Sequence, residues 1–125
     1  MGAFMATGMA VSDLEKATAF YVDVLGLKKL QTVDLDEMKE QLLGTGKPGA
    51  PTLVLMEYKG RPKPPHDTES SKFVFYVRDA AATAAAIVER GGRITREPSP
   101  YGENLVGFAV DPDGYLLELI QAPTK

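Results

Sequence analysis

At 125 residues, with 44 % hydrophobic and 25 % charged residues, the chain can bury the core of one domain and is not disordered in composition. A net charge of −3 argues against a phosphate backbone as partner, and the absence of cysteine excludes disulfides and thiolate metal sites. No apolar run approaches the ~20 residues of a membrane span, and Met1 to Thr7 lack the basic start of a secretory signal, so the cytoplasm is the expected compartment.

Phe4 to Val11 reads as a short strand. Ser12-Asp13-Leu14-Glu15 then has the spacing of a capping box, with Ser12 as cap and Glu15 reaching back. Leu14, Ala17, Phe20, Tyr21, Val24 and Leu25 recur at helical spacing, and Gly26 offers a left-handed stop. Lys28 to Leu35 and Met38 to Gly44 read as two exposed strands turning near Asp34-Leu35-Asp36. After a Gly/Pro turn from Gly46 to Pro51, Thr52 to Tyr58 completes a first module of about residues 4–58.

Residues 59–71 hold three prolines, basic residues and serines, and read as a linker. The order of elements then starts again over about residues 72–121. Lys72 to Val77 is a strand, and Asp79 caps an alanine-rich helix that ends at Gly91-Gly92. Arg93 to Glu97, Leu105 to Val110 and Tyr115 to Gln121 are three further strands. Asp111-Pro112-Asp113-Gly114 is a tight turn. An offset of 66 residues superposes Val11-Ser12-Asp13 and Gly26 on Val77-Arg78-Asp79 and Gly92, and places Ala6 over Lys72. The expected fold is therefore α+β, one domain made of two tandem βαβββ modules.

Strand parity sorts the side chains. Phe73, Phe75 and Val77 share a face suited to packing under a helix, which leaves Lys72, Val74 and Tyr76 for the other. Leu117 and Leu119 lie opposite Leu116, Glu118 and Ile120. In Thr52 to Tyr58, Leu53, Leu55 and Glu57 lie opposite Val54 and Met56. Glu118 and Glu57 are carboxylates among aliphatics, where a partner or a task is expected.

Three stretches together resemble the vicinal oxygen chelate superfamily of glyoxalase I, bleomycin and fosfomycin resistance proteins and extradiol dioxygenases. They are Val11-Ser12-Asp13-Leu14-Glu15-Lys16 through Val24-Leu25-Gly26-Leu27, Gly91-Gly92 before a strand, and Asp111-Pro112-Asp113-Gly114-Tyr115 through Glu118-Leu119. The second half is most similar to bacterial glyoxalase I. The resemblance implies a curved, partly open, barrel-like mixed sheet around a cleft, a homodimer and a small-molecule ligand. It also implies four inward metal-ligand positions, filled in glyoxalase I by His, Glu, His and Glu. Carried over, they fall on Ala6, Leu55, Lys72 and Glu118, and Glu118 alone keeps a ligand type. Glu57, two residues along the same face, is the substitute for Leu55 if the register slips by two. His66, the single histidine, lies in the linker and reads as an exposed loop residue.

One carboxylate beside an ammonium is too few donors for a divalent ion, so no cofactor is expected; nickel, zinc, manganese or iron is the alternative. Lys72 and Glu118 are the candidate catalytic pair, acid and base, or else a plain cross-strand ion pair. Gln41, Leu55, Glu57, Val74, Tyr76 and Leu116 are the candidate ligand-lining residues, with Arg96 and Tyr101 flanking the mouth. The expected function is binding of a small organic ligand without the usual metal. The alternative is a glyoxalase I-type lactoylglutathione lyase or a related metal-dependent lyase or dioxygenase. Nucleic acid and membrane are not expected partners.

Overall fold

A computed structural model describes residues 2–68 and 70–124. The chain divides into two compact units, and the boundary between Pro65 and His66 falls inside the expected linker. The fold is α+β: each unit contributes one four-stranded mixed sheet and one helix. Among the described residues no helix is long and apolar enough to cross a membrane.

In the first unit, β1 (Ala6–Ala10), α1 (Leu14–Asp23), β2 (Lys28–Asp34), β3 (Met38–Gly44) and β4 (Thr52–Tyr58) follow in chain order. The sheet runs β1-β4-β3-β2, with β1 parallel to β4 and the other pairs antiparallel. Its core is Met9, Phe20, Tyr21, Leu43, Leu53 and Leu55, where one face of β1, β3 and β4 meets the apolar stripe of α1. The helix starts one residue later than a cap at Ser12 requires. Asp13 is the N-cap, and its Oδ1 accepts from Lys16 N at 3.1 Å. Aspartate caps as well as serine does, so the shift costs nothing. Gly26 takes the left-handed stop expected of it, at φ 76°.

The second unit repeats the plan with β5 (Phe73–Tyr76), α2 (Ala80–Glu89), β6 (Arg93–Tyr101), β7 (Asn104–Val110) and β8 (Leu116–Gln121). Its sheet runs β5-β8-β7-β6, again with the first pair parallel. Asp79 caps α2 as expected, accepting from Ala82 N at 3.0 Å. Ala80, Ala84 and Ile87 are buried, facing Ala109, Leu117 and Leu119; small side chains on the helix permit that close approach. The two glycines after α2 have different tasks. Gly91 takes the left-handed conformation at φ 93°, whereas a Cβ on Gly92 would lie 2.6 Å from Val110 O.

β6 extends to Tyr101, beyond the Glu97 where the sequence expectation ends it. β6 is an edge strand, so it accommodates Pro98 and Pro100, whose missing N–H groups can face solvent. The register against β7 shifts between Ile94 and Arg96 and again between Arg96 and Ser99.

His66 is exposed, as expected of a linker histidine, yet its ring stacks on Tyr115 at 3.9 Å between centroids and 12° between planes. Phe73 meets the same tyrosine edge-on at 5.9 Å. The start of the second unit is thereby held against the Asp-Pro-Asp-Gly turn.

Candidate functional site

In the second unit, α2 covers the face that carries Leu117 and Leu119 and leaves the other free. On β5 the free face carries Val74 and Tyr76, 48 % and 79 % exposed. Register places Val74 beside Glu118 and Tyr76 beside Ile120 on β8. From β7, Phe108 pairs with Glu118, Val106 with Ile120 and Val110 with Leu116. Arg96 on β6 sits opposite Phe108. Lys72, just before β5, shares the parity of Val74.

Lys72 Nζ donates to Glu118 Oε1 at 2.7 Å, with side chains 54 % and 13 % exposed respectively. The ammonium is thus half in solvent while its carboxylate partner is nearly buried, 5.9 Å from the ammonium to the Phe108 ring centre. A hollow of about 290 Å³ opens beside the pair, walled by Arg96, Ser99, Tyr101, Val106 and Phe108. Among the described residues nothing binds the Arg96 guanidinium by hydrogen bond or ion pair. Ser99, Val106 and Phe108 are not singled out by the sequence reading. The signal for the last two was the alternation Val106, Phe108, Val110, which needs the β7–β8 register before it points to Glu118.

The first unit places its candidates differently. Leu55 is fully buried beneath α1, with Met9 and Gln41 as its lateral neighbours. Gln41 is buried on that side too. Its Oε1 accepts from Thr32 Oγ1 at 2.7 Å, and its Nε2 donates to Gln31 O and Leu42 O at 3.0 and 3.2 Å. Glu57 Oε1 accepts from Leu14 N at 2.6 Å and so satisfies an orphan donor at the start of α1. These three residues lie on the helix side of their sheet and not on its free face, and Gln41 lines a hollow beside α1.

The repeat supplies the second implied position. Gln121 Oε1 accepts from Ala80 N at 2.8 Å, the bond that Glu57 makes to Leu14. The offset that carries Glu57 onto Gln121 carries Val54 onto Glu118. Val54 also pairs with Gly8 as Glu118 pairs with Val74. The four implied metal positions are therefore Ala6, Val54, Lys72 and Glu118.

That set does not fit a divalent cation. Two members are hydrocarbon, one is an ammonium, and the carboxylate already accepts from it. A second copy of the chain would bring the same residue types. Among the described residues no group of three or more His, Cys, Asp or Glu is arranged to hold a metal ion.

Two βαβββ units, each with one four-stranded mixed sheet and one helix, define the class of fold, and comparison supplies the family. Residues 4–119 match the model of the Glyoxalase/Bleomycin resistance protein/Dioxygenase superfamily, and the chain belongs to that family. It is 34 % identical to the lactoylglutathione lyase of Haemophilus influenzae over 92 % of this chain and 89 % of that one. The same identity holds to the lactoylglutathione lyase of Salmonella typhimurium, over 93 % and 90 % of the two chains. The structure superposes on the trypanothione-dependent glyoxalase I of Leishmania major with a TM-score of 0.82 at 28 % identity, covering 97 % of this chain and 87 % of that one. By overall likeness these relatives favour the glyoxalase I-type alternative over a plain binding protein.

Proposed function

We propose that the protein binds a small organic molecule on the free face of its second sheet, around Lys72 and Glu118, and does so without a divalent metal. The observation that carries the reading is the 2.7 Å bond between Lys72 Nζ and Glu118 Oε1. It puts a fixed positive charge where the family resemblance expects a cation, so that developing or resident negative charge on a ligand meets an ammonium instead of a metal ion. Val74, Tyr76 and Leu116 extend that face and supply apolar area.

The test is metal content by plasma mass spectrometry after incubation with Ni²⁺, Zn²⁺, Co²⁺, Mn²⁺ and Fe²⁺ and exhaustive dialysis. The expected result is no stoichiometric retention. Retention that disappears in Glu118→Ala would overturn the metal-free reading.

The second reading is a glyoxalase I-type lactoylglutathione lyase, supported by the names and full-length likeness of the bacterial relatives. It requires turnover of lactoylglutathione that rises with added metal and falls with chelator. A metal-independent variant of it has Lys72 as acid and Glu118 as base, at hydrogen-bond reach of each other. Turnover unaffected by chelator but abolished in both Lys72→Ala and Glu118→Gln would identify that variant.

A further inference from the structure

The charges around the second unit's hollow do not balance. Lys72 and Arg96 bring two permanent cations to its wall, and Glu118 brings one carboxylate. Glu118 is committed to Lys72 and is nearly buried, which leaves the guanidinium of Arg96 as a net positive charge without a protein counter-ion among the described residues. The chain as a whole carries a net charge of −3, so this local excess runs against the general field.

From this we infer that the hollow selects a compact monocarboxylate with a flat apolar body, and that Arg96 is the residue that sets that preference; the inference rests on the free face being a ligand site. A carboxylate matches the planar fork of a guanidinium with two parallel charge-assisted hydrogen bonds, a geometry an ammonium cannot offer. Arg96 is held by β6 directly opposite Phe108, so a carboxylate on the fork places the rest of its molecule over that ring. Lys72 has donors to spare beyond the one given to Glu118, and the hydroxyls of Ser99 and Tyr101 line the same wall. One extra negative charge neutralises the site. A second would meet Glu118 with no cation left to offset it. The volume of about 290 Å³ lies just below the usual ligand-site range of ~300–1,000 Å³, which suits a small acid over an extended one.

The experiment is an NMR titration of the full chain, labelled with ¹⁵N and pretreated with chelator, using benzoate, its neutral isostere benzamide and its cationic isostere benzamidine. Benzoate is expected to shift the amides of Arg96, Phe108 and Glu118, to bind at least tenfold tighter than benzamide, and to weaken with added salt. Arg96→Gln should abolish the tenfold preference, and Arg96→Lys should restore only part of it. Arg96 is an exposed edge-strand residue, so both variants are expected to fold, which their amide spectra show directly. Equal affinities for benzoate and benzamide, or an unchanged preference in Arg96→Gln, would overturn the anion selection and leave the ligand site standing. No shift on this face with any of the three would overturn both.

Discussion

Glu57 Oε1 lies 2.6 Å from Leu14 N, so the end of β4 holds the first turn of α1. Gln121 and Ala80 make the same contact in the second unit at 2.8 Å. Each helix thus begins with two donors satisfied from different sources: an aspartate cap from its own segment, and a side chain from the strand that ends beside it. A carboxylate at the positive end of a helix also interacts favourably with the helix dipole.

Glu57→Ala is expected to destabilise the fold by about 1–2 kcal/mol, the usual range for losing a charge-assisted bond at a helix start. Glu57→Gln should retain most of that stability, since glutamine already does the job in the second unit. Urea denaturation of the two variants measures the difference. Equal losses would mean that the side chain acts through packing and not through its bond to Leu14.

The same residue shows where the sequence stops being informative. Glu57 looked like a site carboxylate because its partner lies 43 residues away and nothing local announces it. The strands themselves were legible: β3 and β4 end where alternation and turn residues place them. Which face of β4 the helix covers was not. Both faces carry aliphatics, Leu53 and Leu55 on one and Val54 and Met56 on the other, and parity alone treats them alike. A one-residue choice of anchor therefore moved the second implied metal position from Val54 to Leu55. The pair Lys72 and Glu118 survived this ambiguity because the Asp-Pro-Asp-Gly turn fixes the register of β8 from within a few residues.

Gly92→Ala should be among the most destabilising single changes in the second unit. The added Cβ would stand 2.5 Å from Ile87 Cγ2 and 2.6 Å from Val110 O. The first neighbour is a fully buried side chain and the second is backbone, so neither yields freely. A loss of about 3 kcal/mol, the upper part of the overpacking range, is expected by thermal or chemical denaturation. A loss below about 1 kcal/mol would show that α2 and β7 can separate without strain.

Asp34 is ion-paired with Lys59, and that ammonium, by hydrogen bond and charge, holds its carboxyl below the ordinary aspartate value. A depressed folded-state value means that the pair supports the fold above the unfolded pKa and loses its effect as pH falls through the folded one. Asp34→Asn should accordingly matter near neutrality and become indistinguishable from the parent in strong acid. Both groups are exposed, so the effect is small. Carboxyl NMR titration is the direct check: an Asp34 midpoint that does not rise in Lys59→Met would remove Lys59 as its cause.

Lys72→Met separates a structural ion pair from a working one. Glu118 is 13 % exposed and loses its counter-charge in this variant, while the methionine keeps most of the stem's packing. Because the ammonium itself is half in solvent, water replaces part of what is lost, and a cost of about 1 kcal/mol is expected, between the surface and buried limits. Glu118→Gln should remove the unpaired charge, so the double variant is expected to be no less stable than Lys72→Met alone. Stability read by denaturation then forms a closed cycle whose coupling term belongs to the pair. Ligand affinity should follow a different pattern: both lysine variants bind an anion more weakly, whether or not Glu118 is charged. If affinity instead recovers in the double variant together with stability, Lys72 serves the fold by neutralising Glu118 and takes no direct part in binding.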